Sequence, residues 1–86
     1  MILRLYCIRD ARTGFMPPTA EQSDAAAIRN FEHACVNAQS LFYTHPADYD
    51  LCRVGEYDTD LGVITPCSPE PLVNALSIVQ QFKSDK

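Results

Sequence analysis

Apolar and polar residues near the start of the chain are spaced as in a β-strand. Residues 2–9 read Ile-Leu-Arg-Leu-Tyr-Cys-Ile-Arg, and this pattern predicts a strand. Successive side chains of a strand point to opposite faces. We therefore assign Leu3, Leu5 and Cys7 to the face that packs on helices, and Arg4, Tyr6 and Ile8 to the opposite face. Gly14 and the pair Pro17-Pro18 predict a loop that ends the strand.

An apolar stripe with spacings of three and four predicts a helix after this loop. Thr19 to Gln22 fits a capping box, and Ser23 followed by Asp24 offers a second start. Asn37 is the expected stop. The stripe consists of Ala25, Ala26, Ala27, Ile28, Phe31, Ala34 and Cys35.

The second half of the chain predicts a short helical turn at Pro46, two strands and a final helix. The strands are expected over residues 51–57 and 63–65, joined by a hairpin loop that contains Gly62. Pro66 is expected to end the third strand, and Ser68-Pro69-Glu70 to open the last helix. The apolar stripe of that helix consists of Leu72, Ala75, Leu76, Val79 and Phe82.

These elements predict an α+β fold with the order β-α-β-β-α, a small three-stranded sheet with two main helices on one face. The chain of 86 residues is expected to form a single domain, 1–86, with one modest core. It has no apolar run near the ~18 residues that cross a bilayer, and we interpret its apolar beginning as a buried strand rather than a secretion signal. No membrane partner is expected.

Composition and spacing provide little support for an active site. Cys7, Cys35, Cys52 and Cys67 include no Cys-x-x-Cys pair, so we expect reduced thiols and no metal site. Asp58-Thr-Asp60-Leu-Gly62 resembles part of a calcium loop, but the twelfth position is Pro69 instead of the required glutamate. His33 and His45 lack a matching nucleophile motif. We therefore expect a non-enzymatic protein with no catalytic residues and no cofactor.

The strand pattern predicts one candidate surface with two interpretations. Arginine and tyrosine on an open sheet face are the groups with which proteins hold single-stranded nucleic acid; here they are Arg4, Tyr6, Arg53 and Tyr57. The same face carries the apolar residues Ile2, Ile8 and Leu51, which favour self-association instead. The net charge of −4 opposes phosphate binding, and both interpretations stay open on the residues alone.

Four segments in order resemble a known family. They are Asp24 to Phe31, Ser40 to Leu51, Val54 to Asp58 and Gly62 to Ile64. Together they resemble the small nonstructural protein of gokushoviruses, single-stranded DNA phages of the microvirus group, over about residues 1–72. Ile28, Arg29, Phe31, His45, Pro46, Tyr49 and Gly55 match as motif positions without assigned roles. From the residues we expect Ile28 and Phe31 to pack the helix, His45-Pro46 to form a turn, and Gly55 to allow a bulge or a close approach.

The resemblance implies a nonstructural protein in the host cytoplasm that regulates viral single-stranded DNA synthesis or packaging. Some members of the family are labelled DNA-binding, and the family offers no catalytic residues to transfer. We expect the chain to form a homo-oligomer, and its other partner to be single-stranded DNA or a phage or host replication protein. The alternative is a self-associating protein-interaction module that acts on a replication factor without contacting DNA.

Overall fold

Five strands form one curled antiparallel sheet in the computed structural model, which describes residues 1–85. The strand order is β2-β1-β4-β5, and β3 pairs with β1 on the same side as β2. The α+β class predicted from the sequence is confirmed, whereas the prediction of three strands is wrong because the expected loop and the expected capping box after β1 each contribute a short one. The strands are β1 (Ile2–Asp10), β2 (Gly14–Phe15), β3 (Thr19–Glu21), β4 (Tyr49–Asp58) and β5 (Val63–Asn74).

Three helices and one 3-10 turn connect and cover this sheet. The helices are α1 (Asp24–Cys35), α2 (Leu41–Thr44) and α3 (Ala75–Ser84), and the 3-10 turn is Pro46–Asp48. Helix α1 begins at the second predicted start, where the Ser23 hydroxyl accepts a hydrogen bond from the backbone N–H of Ala26. The alternative capping box at Thr19 is not used, because that segment pairs with β1 as β3.

The core lies between one face of the sheet and helices α1 and α3. Ala27, Phe31 and Cys35 project from α1, and Ala75, Ile78 and Val79 project from α3. From the sheet they meet Tyr6, Tyr49 and Leu51, while Phe42 of α2 packs edge-on against the Tyr49 ring at 4.7 Å between centroids. Burial of these side chains is the main source of stability for so short a chain.

The face of β1 that the helices cover is the opposite of the predicted one. Tyr6 and Ile8 contact the helical core, whereas Leu3, Leu5 and Cys7 lie on the other side of the sheet. We call this second side the outer face. Both sides of β1 carry apolar residues, so alternation identified a strand without showing which side the helices would cover.

A bulge in β4 also changes the predicted alignment of side chains. The register passes from Leu5↔Gly55 to Tyr6↔Arg53, which leaves Val54 without a partner in β1. Residues directly opposite each other in a sheet share a face. Arg53 therefore shares the helix-covered face with Tyr6, while Tyr57, which is opposite Leu3, lies on the outer face.

Strand β5 is longer than predicted and continues through three prolines. It is the last strand in the sheet order, so only one of its edges is paired, and an edge strand tolerates residues that cannot donate a backbone hydrogen bond. The prediction that Pro66 ends the strand and that Ser68 opens a helix is therefore wrong. Helix α3 begins instead after Asn74, whose side chain accepts a hydrogen bond from the Leu76 N–H.

Gly55 allows β4 and β5 to approach closely, as the sequence predicted. A Cβ atom at this position would lie 2.5 Å from the carbonyl oxygen of Thr65 and 3.2 Å from the Cα of Pro66. Both are backbone atoms, so a larger residue would push the strands apart. No helix within residues 1–85 has the length and apolar character needed to cross a membrane.

Candidate functional site

Tyr6, predicted to stack on nucleic acid bases, is buried beneath the start of α1. Its side chain is 1% exposed, and its hydroxyl donates a hydrogen bond of 2.6 Å to Asp24 Oδ1. Burial, followed by the hydrogen bond to Asp24, raises the pKa of Tyr6 to about 12. The ring is therefore a core residue with a fixed polar end, and it is not available for stacking.

Arg53 belongs to the same cluster and is held by two carboxylates. Its guanidinium lies 2.6 Å from Glu70 Oε2 and 3.9 Å from Asp24 Oδ2. The hydrogen bond to Glu70 is the main cause that raises the pKa of Arg53. Asp24, at the first position of α1, also suits the positive end of the helix dipole. This cluster joins α1 to β1, β4 and β5. Its two carboxylates pair with the Arg53 guanidinium, which the sequence predicted to bind phosphate.

Of the remaining two residues of the predicted platform, Arg4 shares a face with Tyr6 and Arg53, whereas Tyr57 does not. Arg4 lies directly between Glu56 of β4 and Glu21 of β3 in the sheet register, so its surroundings are acidic. Tyr57 lies on the outer face, across the bulge at Val54. The predicted platform of Arg4, Tyr6, Arg53 and Tyr57 is therefore wrong as an open face, because α1 covers its centre and the bulge separates its ends.

The residues predicted for self-association are also divided by the fold. Leu51 is only 4% exposed and belongs to the core, and Ile8 packs against that core. Ile2, by contrast, is exposed at the beginning of β1. The prediction of one shared apolar face is wrong for Ile8 and Leu51, since helices occupy that part of the sheet.

An exposed apolar surface does exist, at the end of the β4–β5 hairpin where the chain begins. Its side chains are between 50% and 74% exposed, although all are large and apolar. Ile2 and Val63 flank Asp58 in one row of the sheet, and Ile64 flanks Tyr57 in the next row. We call this surface the hairpin end; it consists of Met1, Ile2, Leu61, Val63 and Ile64.

Local hydrogen bonds fix the shape of the hairpin end. The N-terminal ammonium group lies 2.9 Å from Asp60 Oδ2, and the backbone N–H of Thr59 donates to the carbonyl oxygen of Met1. Asp58 Oδ1 accepts hydrogen bonds from the N–H groups of Asp60 and Leu61. Gly62 takes a positive φ of 68°, which this turn requires. The apolar side chains therefore project from an ordered turn.

Sequence reasoning missed the hairpin end, although one signal was present. Asp58, Asp60 and Gly62 predict a hairpin loop, and this loop also contains Leu61. A leucine at the tip of a tight turn has no core to enter, because loops lie on the surface. Together with Val63 and Ile64 immediately after the turn, it indicated an exposed apolar end.

A cavity of about 380 Å³ lies between α1 and the segment that leads into β3. Its walls are mainly apolar, formed by Ile8, Met16, Ala27, Phe31 and Leu51 among others. Asn30 donates a hydrogen bond of 2.7 Å to Glu21 Oε1, and both residues line the cavity. Within residues 1–85, every buried side-chain nitrogen or oxygen has a hydrogen-bond partner.

The histidines lie apart from the cysteines' only strand pair among residues 1–85, Cys7 opposite Cys52. Within residues 1–85, no group of three or more His, Cys, Asp and Glu side chains is placed to hold a metal ion. His45 lies on the surface, where its Nδ1 is 2.9 Å from the Thr44 hydroxyl. Cys35 is fully buried in the core, and its burial raises the pKa of its thiol to about 11. None of these groups forms part of the hairpin end.

Comparison with known proteins places the chain in a phage family. A family model described as Phage ORF5 protein matches residues 3–78, a range that includes four strands, all of β1 except Ile2, and the beginning of α3. No curated protein and no solved structure matches the chain. Because the matched range covers most of the sequence, this protein belongs to the Phage ORF5 protein family.

Proposed function

We propose that this phage protein is a non-enzymatic nonstructural protein that regulates viral single-stranded DNA synthesis or packaging through protein contacts. It self-associates through the hairpin end and acts on a phage or host replication protein in the host cytoplasm. The observation that supports the proposal is the hairpin end itself, where five large apolar side chains are exposed on an ordered turn, Ile2 and Val63 on one face of the sheet and Ile64 on the other. The similarity to gokushovirus nonstructural proteins supports the assignment to genome synthesis or packaging.

The energetic argument concerns the cost of leaving these side chains in water. Burial of one isoleucine or leucine side chain is worth about 1.5–3 kcal/mol, so covering several of them provides a substantial driving force for association. Exposed apolar patches on small proteins are typical of binding surfaces. Since the turn is already ordered by Asp58 and Gly62, association costs little backbone conformational entropy at this site.

The charges at the hairpin end do not prevent a second copy of the chain from binding there. Two molecules with a net charge of −4 repel one another, but Asp60 is paired with the N-terminal ammonium group at 2.9 Å. That pair reduces the negative charge where the apolar side chains meet. A symmetric contact would then bring identical apolar side chains together around a two-fold axis.

Light scattering across a range of protein concentrations tests the self-association. We expect Ile64→Asp to convert the oligomer to a monomer, because it places a charge inside the contact. Leu41→Asp is the matched control: Leu41 is exposed to a similar extent, 61% against 63%, but lies at the start of α2, away from the hairpin. Circular dichroism should show both variants folded. An Ile64→Asp oligomer of unchanged mass, or a monomeric parent protein, would contradict the proposal.

Direct binding of single-stranded DNA is the second candidate function. One observation favours it: within residues 1–85, Arg4 and Arg29 have no carboxylate oxygen within 4 Å, unlike Arg9, Arg12 and Arg53. Arg29 is exposed on α1. Fluorescence anisotropy with a labelled oligonucleotide at low and moderate salt measures this function. Salt-dependent binding that Arg29→Ala weakens would support it, whereas the absence of binding at low salt would exclude it.

A further inference from the structure

We propose that Cys7 and Cys52 are a modification site, closing to an intramolecular disulfide when the protein meets a small-molecule disulfide. The two residues are direct partners in the pairing of β1 with β4, although they lie far apart in the sequence. Directly opposite residues of an antiparallel pair share a face, so both thiols lie on the outer face. The proposal does not depend on the function proposed above.

The sheet geometry satisfies the distance requirement of a disulfide. Directly opposite residues in an antiparallel pair have Cα atoms about 4.5 or 5.5 Å apart, depending on the hydrogen-bonding pattern. Disulfides span Cα distances of about 4.4–6.8 Å. Either kind of pair therefore falls within the range, and neither strand has to move along the other for the bond to form.

The surroundings distinguish this pair from the other cysteines. Cys7 is 9% exposed and Cys52 is 1% exposed, and both thiols are free. The next row on the same face holds the ion pair between Arg9 and Asp50, 3.7 Å apart. Cys35 is in the helical core, on the opposite side of the sheet. The thiol of Cys67, on exposed β5, lies 3.8 Å from the carbonyl oxygen of Arg53 and has no cysteine as its strand partner.

The reaction is a thiol–disulfide exchange that consumes one molecule of oxidant. The thiolate of Cys7, the more exposed of the two, attacks a sulfur of the disulfide RSSR, forming a mixed disulfide and releasing RS⁻. The Cys52 thiolate then attacks the Cys7 sulfur, breaks the S–S bond of the mixed disulfide and releases a second RS⁻. The protein loses two protons and two electrons, and RSSR is reduced to two RSH once those protons are taken up.

Burial makes the exchange slow at neutral pH. Loss of hydration raises the pKa of the Cys7 and Cys52 thiols, which reduces the thiolate fraction. The arrangement therefore predicts a rate that increases with pH. Once formed, the bond would join β1 to β4 across the intervening loop, β2, β3, α1 and α2, and would restrict the unfolded chain.

The experiment treats the full chain carrying Cys67→Ser with oxidised glutathione at pH 8.5, just below its unfolding temperature. We expect the intact mass to fall by two hydrogens and non-reducing digestion to recover a Cys7–Cys52 peptide pair. The thermal midpoint should increase by about 10 °C or more, in proportion to the entropy removed from the unfolded chain. Dithiothreitol should reverse both changes.

Two controls make the result decisive. The double variant Cys52→Ala, Cys67→Ser should show no loss of two hydrogens, and Cys35→Ala, Cys67→Ser should react like the Cys67→Ser protein. Unchanged mass after prolonged treatment would overturn the proposal. Separate glutathione adducts on Cys7 and Cys52, or a peptide pair that includes Cys35, would overturn it as well, because each shows that the two thiols do not meet.

Discussion

Replacing Tyr6 by phenylalanine separates its role in the core from the role in stacking that the sequence predicted. The substitution keeps the ring but removes the hydroxyl, which donates a hydrogen bond of 2.6 Å to Asp24. A hydrogen bond to a charged group contributes about 1.5–3 kcal/mol. The side chain of Asp24 is 38% exposed, and water can replace part of the lost bond. We therefore expect the free energy of unfolding to fall by about 1–2 kcal/mol.

The same hydroxyl predicts a specific dependence of stability on alkaline pH. The pKa of Tyr6 is raised from 10.0 to about 12 in the folded protein. Below pH 10 the phenol is protonated in both folded and unfolded chains, so its contribution is complete. As the pH rises from about 10 to about 12, only the unfolded phenol ionises, and stability is lost. With allowance for solvent near the partly exposed Asp24, the loss is about 1–2 kcal/mol.

Urea unfolding followed by circular dichroism measures both effects, since the chain contains no tryptophan. The informative quantity is the difference in the free energy of unfolding between the parent protein and Tyr6→Phe at each pH, because all other groups are the same in the two proteins. We expect this difference to be largest at pH 8–10 and to decrease towards pH 12. A difference that stays constant over the whole range, or a variant as stable as the parent at pH 8, would refute the placement of Tyr6.

Three further substitutions test the fold by the same urea measurement. Gly55→Ala should reduce stability by about 2–3 kcal/mol, because its Cβ would contact the Thr65 backbone; a neutral result would contradict the close approach of β4 and β5. Asn74→Ala should cost about 1–2 kcal/mol, since it removes the α3 cap and the hydrogen bonds to Tyr49 and Asp50. Phe31→Ala should cost about 3–5 kcal/mol, and a loss below 1 kcal/mol would place Phe31 outside the core.

The agreement between sequence and structure is best where the signal is local. The hydroxyl of Ser23 next to the first turn, followed by an apolar stripe, correctly predicted α1, because a cap and its helix lie within a few residues. Gly55 was correctly associated with a close approach of the chain. The α+β class followed from the change of apolar period between segments.

The limits of the prediction appear where a local signal competed with strand pairing. Ser68-Pro69-Glu70 is a valid helix opening by local rules, yet these residues extend β5. Of these three residues only Glu70 has a partner in β4, Arg53, and the pairing on either side of Ser68 and Pro69 keeps them in the strand. The free edge of β5 accommodates the prolines. Helix α3 therefore begins only after Asn74, whose side chain caps it.

The sequence by itself determined that this chain has strands and two amphipathic helices, since the hydrophobic period is a local property. Only the tertiary structure decided which face of β1 is buried, because apolar residues occupy both faces and the choice depends on where α1 and α3 pack. It also decided that Arg53 and Tyr57 lie on opposite faces, because the bulge at Val54 depends on the partner strand. The exposed hairpin end results from the pairing of β4 with β5, because this pairing places apolar residues where no helix covers them.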